Sequence, residues 1–358
     1  MGLFEKERDL NRPPDRIQLE VDGSFFRLKA HELHLRLDQF LLAHLTWRSR
    51  TSIQALIRDG FVQVDIATPE HPKGAGELAT ELRPGRKLRH GSQVMVIIPE
   101  QLRLPEPEGE VSPVEILHLE AGVMVVDKPP QVPVHPSGRH TLDTMIQRVH
   151  AHCAREMADE LGLAPRLSHR LDRETSGVLL VGTRTQALRE LRRQFEAHEV
   201  EKTYLALVCG EVPAKKGSIR WPIGSDHYSA VRLKMTVTED GLSCRTDWRV
   251  VKRFQGYTLV ECDLHTGRQH QIRVHLAAMG HPIVGDKLYG PDEQLFIRAA
   301  DETLTEADRV QLQMDRQALH HHRLVFTSPS GNHRVTVESP LASDIQVFID
   351  QLPNAHPS

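Results

Sequence analysis

The apolar positions change period several times along the chain. Leu37, Phe40, Leu41 and Leu45 recur at i, i+3, i+4 and i+8, which predicts an amphipathic helix. Ser49 or Thr51 then precedes IQALIRDG, a second helix ended by Gly60, and FVQVD follows with the two-residue alternation of a strand. This helix–turn–helix–strand segment carries Arg36, Arg48, Arg50 and Arg58 on its polar sides. Residues 66–92 read as a long polar hairpin or loop, and QVMVIIP at 93–99 returns as a strand.

Beyond residue 113 the pattern opens again. Strand-like runs (GVLLVGT, TYLALVCG, YTLVECDL, LVFTSP, HRVTVE) mix with helical ones (TLDTMIQRVHAHCAREMADEL, TQALRELRRQFEAHE, QIRVHLAAMG). Consecutive strands with short turns predict a mixed, largely antiparallel sheet flanked by helices, an α+β rather than a doubly wound arrangement. The expected division is a leader arm (1–34, with Pro13-Pro14), a small first domain (35–99), a Pro- and Glu-rich linker (100–113) and a larger second domain (114–350). A length of 358 residues agrees with two domains.

Composition narrows the class. Hydrophobic residues make up 39%, enough for a globular core. The four cysteines (Cys153, Cys209, Cys244, Cys262) have neither disulfide-framework nor zinc-finger spacing. The first residues are charged from Glu5 onward, without an apolar signal run, and no stretch approaches the roughly 18 apolar residues of a membrane span. A reduced, cytoplasmic protein without a membrane segment is expected. The net charge of −3 argues weakly against a polyanion partner, but its distribution does not. Arg83, Arg86, Lys87 and Arg89 stand together without an acid, and so do Arg268 and Arg273 between His265 and His275.

Three polar clusters sit beside apolar strands. In HRLDRETSGVLLVGT (169–183), Asp172 lies between Arg170 and Arg173. It either caps a turn and pairs with a neighbour, or is a carboxylate held ionised to act as nucleophile or base. In EKTYLALVCGEV (201–212), Tyr204 is a half-buried structural tyrosine or a site residue. The third cluster, LHTGRQHQIRVHLAAMGHPIVGDKLYG (264–290), holds two arginines, several histidines and one acid, Asp286. His265, His270 and His275 recur every five residues, a spacing that diverges by about 140° on a helix and alternates faces on a strand. Neither they nor His320–His322 are expected to bind metal. Serine-hydrolase, zinc-protease and phosphate-loop motifs are absent.

In this order the three clusters resemble the RluA-type family of RNA pseudouridine synthases. HRLDRETSG is similar to its catalytic-aspartate signature, EKTYLALV to its tyrosine segment and HTGRQHQIRVHLAAMGHPIVGDKLYG to its third motif. DKPPQVPVHP (127–136) and LHHHRLVFTSP (319–329) also match, over roughly 113–345. Gln131 stands where the family commonly has glycine. The segment RLDQFLLAHLTWRSRTSIQALIRDGFVQVD resembles an S-four-type RNA-binding domain of αβ build, departing at Val64-Asp65-Ile66, where Val-Asn-Gly is usual.

The resemblance implies isomerisation of uridine to pseudouridine in ribosomal or transfer RNA, without cofactor or metal, by a monomer. Asp172 would be the catalytic carboxylate and Arg273 its ion-pair partner. Tyr204 would stack on the base and could help remove the carbon-5 proton. Arg170, Arg268 and His270, with Arg36, Arg48, Arg50 and Arg58, would contact RNA. Two other classes stand beside this one: a non-catalytic RNA-binding or ribosome-assembly protein with a retired synthase domain, and a metal-dependent hydrolase using the histidines.

Overall fold

The computed structural model describes residues 16–22, 35–45, 50–99, 111–136, 142–157, 163 and 165–354. Arg48, the Pro13-Pro14 pair and most of the 100–113 linker lie outside these residues. The chain groups into two compact units.

The first unit contains β1 (Arg16–Glu20), β2 (Leu35–Arg36), α1 (Leu37–His44), α2 (Arg50–Arg58), β3 (Val62–Asp65), β4 (Ala79–Thr80), β5 (Lys87–Leu88) and β6 (Gln93–Ile97). Four strands form one sheet in the order β1-β6-β3-β4, while β2 pairs with β5. The predicted stripe Leu37, Phe40, Leu41 and Leu45 is fully buried, together with Ile53, Leu56 and Ile57 of α2 and Val62, Val94 and Val96 of the sheet. One reading changes. The stretch taken as a leader arm contains β1, which pairs antiparallel with β6 and buries Ile17 and Leu19 in this core. Five alternating residues, RIQLE, suffice for an edge strand. In α1 the Asp38 side chain is buried and accepts the two-pronged Arg36 guanidinium at 2.9 and 3.0 Å and Gln54 at 3.1 Å. The Arg36 bond, acting against burial, holds the Asp38 carboxyl down at about 2.

The second unit is built on a ten-stranded sheet. Its elements are β7 (Glu115–Glu120), β8 (Val123–Lys128), β9 (Arg166–Leu167), β10 (Ser176–Gly182), α4 (Thr185–Glu196), β11 (Glu201–Cys209), β12 (Lys216–Ile219), β13 (Ile223–Ser225), β14 (Met235–Val237), β15 (Thr246–Phe254), β16 (Tyr257–Leu264), α5 (Gln271–Ala278), α6 (Gln294–Ala300), α7 (Glu306–Leu312), β17 (Leu319–Thr327), β18 (Arg334–Glu338) and α8 (Ser343–Asp350). The helix α3 (Met145–Glu156) falls between β8 and β9 in sequence, yet as far as Ala154 it groups with the first unit. The expected boundary at 114 assigns all of 114–350 to the second domain, whereas residues 135–154 group with the first unit.

The strand order is β12-β15-β16-β11-β17-β10-β8-β7, with β18 on β17, β9 on β10 and β13–β14 as a separate hairpin. Only β10 and β17 run parallel among the described pairs. The centre is β11-β17-β10, and β10 is buried at all seven residues, as its continuous apolar run requires. A register shift between Thr203 and Tyr204 marks an irregularity on β11. Gly177 of β10 has φ +107, and a Cβ there would lie 2.2 Å from the His321 carbonyl oxygen of β17. Glycine is required for these two strands to approach. Gln131 adopts φ 66, a conformation that favours glycine.

Candidate active site

The loop 168–175 enters β10 and carries Asp172. Three buried groups hold it by its backbone and side chains. Lys128 Nζ donates to the Arg173 carbonyl at 2.9 Å, Arg316 Nη1 to the Glu174 carbonyl at 3.0 Å, and Gln317 Nε2 to Thr175 Oγ1 at 2.9 Å. Arg316, 2% exposed, also grips both carboxylate oxygens of Asp344 in α8 at 2.6 and 2.7 Å. Glu174 is fixed in turn by Lys287 at 2.8 Å.

From the start of α5, Arg273 reaches Asp172. Its Nη1 donates to Asp172 Oδ2 at 2.9 Å, while Nε and Nη2 fork onto Asp286 at 2.7 and 2.9 Å. Asp286 has a fully buried side chain and also accepts the backbone N–H groups of Leu288 and Tyr289, both at 3.0 Å. One guanidinium therefore bridges a buried carboxylate and an accessible one, since the Asp172 side chain keeps 27% of its surface open. Burial works to raise the Asp172 pKa, but the positive charge of Arg273, with smaller help from His270 and Gln317, outweighs it and holds the carboxyl below its ordinary value. Asp172 is an anion at neutral pH.

Asp172 and Arg273 line a cavity of about 570 Å³ together with Tyr204, His169, Arg170, Lys202, Arg268 and His270. Tyr204, on β11, is 6% exposed. Burial and the nearby Asp172 charge push its hydroxyl pKa up, so it stays a neutral phenol. Its ring stacks on His321 of the adjacent β17, and His321 meets His169 edge-on. His321 Nδ1 donates to the Val178 carbonyl, and His169 Nε2 accepts from the Leu180 N–H. Both rings are kept neutral by burial, His169 down at about 3.

The five-residue histidine series disperses. His265 meets Asp247 at 2.8 Å, His270 faces Tyr289 and Asp172, and His275 is buried between Thr246 and the Trp221 carbonyl. Among the described residues no three His, Cys, Asp or Glu side chains converge in a metal-binding group. Of the predicted site residues, the cavity collects Asp172, Tyr204, Arg273, Arg170, Arg268 and His270. Arg36, Arg50 and Arg58 belong to the first unit. The sequence reading missed Gln317, Tyr289 and the role of Asp286. The signal for Asp286 was present: it is the single acid in a stretch carrying two arginines.

Comparison with known proteins identifies the family. A family model described as RNA pseudouridylate synthase matches residues 122–278. The chain is 34% identical over 317 residues to an uncharacterised RNA pseudouridine synthase of Bacillus subtilis, covering 88% of this chain and 94% of that protein. It is 34% identical over 322 residues to the ribosomal large subunit pseudouridine synthase D of Nitrosomonas europaea, covering 89% and 85%. Among solved structures, human RNA pseudouridylate synthase domain containing 4 superposes with a TM-score of 0.52 at 21% identity, over 67% of this chain and 95% of that one, a likeness of fold. No described helix is long and apolar enough to cross a membrane. With its mixed sheet, its cavity and these relatives, the chain belongs to the RluA-type RNA pseudouridine synthases, enzymes that isomerise uridine within RNA.

Proposed function

We propose that the chain forms pseudouridine in the RNA of the large ribosomal subunit, with Asp172 as the catalytic carboxylate. The observation that carries this reading is the Asp172–Arg273 pair at 2.9 Å beside Tyr204, which supplies a reactive anion in a cavity large enough for a nucleotide. The choice of substrate draws on relatives named ribosomal large subunit pseudouridine synthase D in Nitrosomonas europaea and Neisseria meningitidis.

In the reaction the glycosidic bond from N1 breaks, the uracil turns, carbon 5 bonds to the ribose and its proton leaves, while N1 gains one. Each step at the sugar needs Asp172 ionised, and Arg273 keeps it so. Tyr204, held protonated, meets the base with its ring rather than as a phenolate. Arg170 and Arg268, at the cavity wall, hold the RNA strand. The target uridine has to leave its helix or loop, at a cost of a few kcal/mol, so weakly stacked uridines are favoured.

The first unit acts as the RNA reader, of S-four type. Its support is the helix–helix–strand arrangement with exposed Arg50, Arg58, Arg83, Lys87 and Arg89. Such charges bind phosphate without base preference and make affinity salt-dependent. The enzyme then works where ribosomal RNA is made, in the cytoplasm.

Asp172→Asn tests the assignment, because it keeps the shape and removes the anion. Tritium release from 5-tritiated large-subunit RNA should disappear while urea unfolding stays cooperative. Wild-type release from this variant would overturn the proposal.

A further inference from the structure

His270 precedes α5 with φ 56 and ψ 18, a left-handed conformation that a β-carbon makes costly. This backbone turns the imidazole into the cavity, where only 11% of the side chain is exposed. Its protonation is set by a relay. The Met235 N–H donates to Tyr289 Oη at 2.9 Å, and Tyr289 Oη lies 2.7 Å from His270 Nδ1. Nδ1 is the one acceptor within hydrogen-bonding distance of that hydroxyl among the described residues, so the phenol proton points to it. Nδ1 accepts, and the neutral ring carries its proton on Nε2. Burial, opposed by Asp172 and Asp286 and aided by Arg273 and Arg170, brings the imidazole pKa down to about 4, so the ring is neutral in ordinary buffers.

Nε2 lies 3.9 Å from Asp172 Oδ1. That is too long for a direct hydrogen bond. The gap has a donor on one side and an anionic acceptor on the other, so its natural occupant is one atom that both accepts and donates. In a uridine the base separates these functions between O2 or O4 and N3–H. A hydroxyl combines them, and within an RNA strand the 3′ and 5′ oxygens are esterified, leaving the 2′-hydroxyl. We propose that His270 contacts the substrate and holds the ribose 2′-hydroxyl of the target nucleotide against Asp172, with Tyr289 as the positioning residue that fixes its tautomer. This rests on Asp172 being the catalytic carboxylate. It makes the site selective for ribose at the point of chemistry.

The test uses the full chain and a stem-loop of large-subunit ribosomal RNA containing a uridine that the wild type converts. The target position is synthesised as uridine or 2′-deoxyuridine, and single-turnover rates are measured. His270→Asn suits the left-handed backbone and can still pair with Tyr289, but it no longer reaches toward Asp172. On the uridine substrate it should slow conversion by about 10- to 100-fold, with RNA affinity little changed. Wild type should lose a similar factor on 2′-deoxyuridine, and the variant should lose no more there, since both changes delete one contact. His270→Gln, whose amide reaches further, should recover part of the rate. Nitrogen-15 spectra of the wild-type imidazole should show the proton on Nε2, and Tyr289→Phe should mix the tautomers.

Wild-type conversion of 2′-deoxyuridine at the full rate, fully additive losses, or a proton found on Nδ1 would each overturn the inference. If Asp172→Asn turns over normally, it is the underlying assignment that fails. If Asp172→Asn is inactive but His270→Asn is fully active, the inference alone fails.

Discussion

The rings of Tyr204 and His321 lie nearly parallel across β11 and β17, their centroids 4.3 Å apart and their planes 13° apart. One face of Tyr204 is therefore occupied by protein, and a base entering the cavity meets the remaining face or edge. His321→Ala would leave a gap behind the tyrosine and remove the bond to Val178. We expect a stability loss of about 1–3 kcal/mol, from the cavity, the hydrogen bond and the stacking together. Turnover should fall beyond what unfolding explains, and His321→Phe should restore part of it. Urea midpoints and single-turnover rates measured side by side check this; an unchanged rate in the alanine variant would remove the backing role.

Asp286→Asn addresses the other side of the site. The buried carboxylate neutralises Arg273 and fixes its plane through two contacts. With only an amide opposite it, the guanidinium loses its main counter-charge. Breaking one partner of a buried pair costs about 3–5 kcal/mol. Thermal or urea unfolding should show a loss of that size; a variant as stable as the wild type would contradict the bridging arrangement.

Arg273→Lys keeps a positive charge but cannot fork onto Asp286 and also reach Asp172. Without its 2.9 Å partner, the Asp172 carboxyl loses what offsets burial, and its pKa rises. The wild-type rate should show no acid limb from Asp172 above the ordinary aspartate range. The variant's limb should move to higher pH, with a reduced plateau. A rate profile from pH 4.5 to 9 reads both, and superimposable acid limbs would refute the ion-pair role.

Acid should weaken the fold itself. Burial holds His169 down at about 3 and His320 at about 4 in the native protein, and it lowers His321 well below the ordinary histidine value too. An unfolded chain protonates its histidines near pH 6.5, so below that value it binds more protons than the native state. Stability is fully present above about pH 6.5 and is lost progressively as the pH falls toward the native values. Urea midpoints at pH 8, 6 and 5 should decline in that order. A midpoint independent of pH over this range would mean that these rings are not held neutral.

Gly177→Ala should be severe. The added carbon would meet the His321 backbone at a φ that L-residues rarely adopt, and no flexible side chain is there to give way. Loss of soluble, cooperatively unfolding protein is expected, and a normal unfolding curve would contradict the close approach of β10 and β17.

Much of this was readable from the residues because it is local. The stripe Leu37–Leu45 predicts a helix face that is buried, and the apolar run GVLLVGT predicts the strand β10, all seven residues of which are buried. Asp172, Tyr204 and Arg273 stood out as polar groups beside such strands. What stayed hidden depends on distance in sequence. Gln317 meets Thr175 across 142 residues, a separation for which no periodicity gives a sign, and the Arg273–Asp172 pair, 101 residues apart, is expected only through the family resemblance. The histidines show the same limit: their spacing could not reveal that His321 stacks behind Tyr204 while His270 faces Asp172. The edge strand at Arg16–Glu20 went unread because five residues in a charged, proline-containing leader resemble a tail until their partner β6 is known.

The grip of Arg316 on both Glu174 and Asp344 sets an order of events during synthesis. The loop bearing Asp172 emerges long before Arg316, and Arg316 before the helix that completes its hold. A chain ending short of Asp344 would keep Asp172, Tyr204 and Arg273, yet Arg316 would lose the carboxylate that orients it toward the loop. The loop that carries Asp172 thus takes one of its braces from the last described helix, so a change in α8 reaches the cavity without lining it.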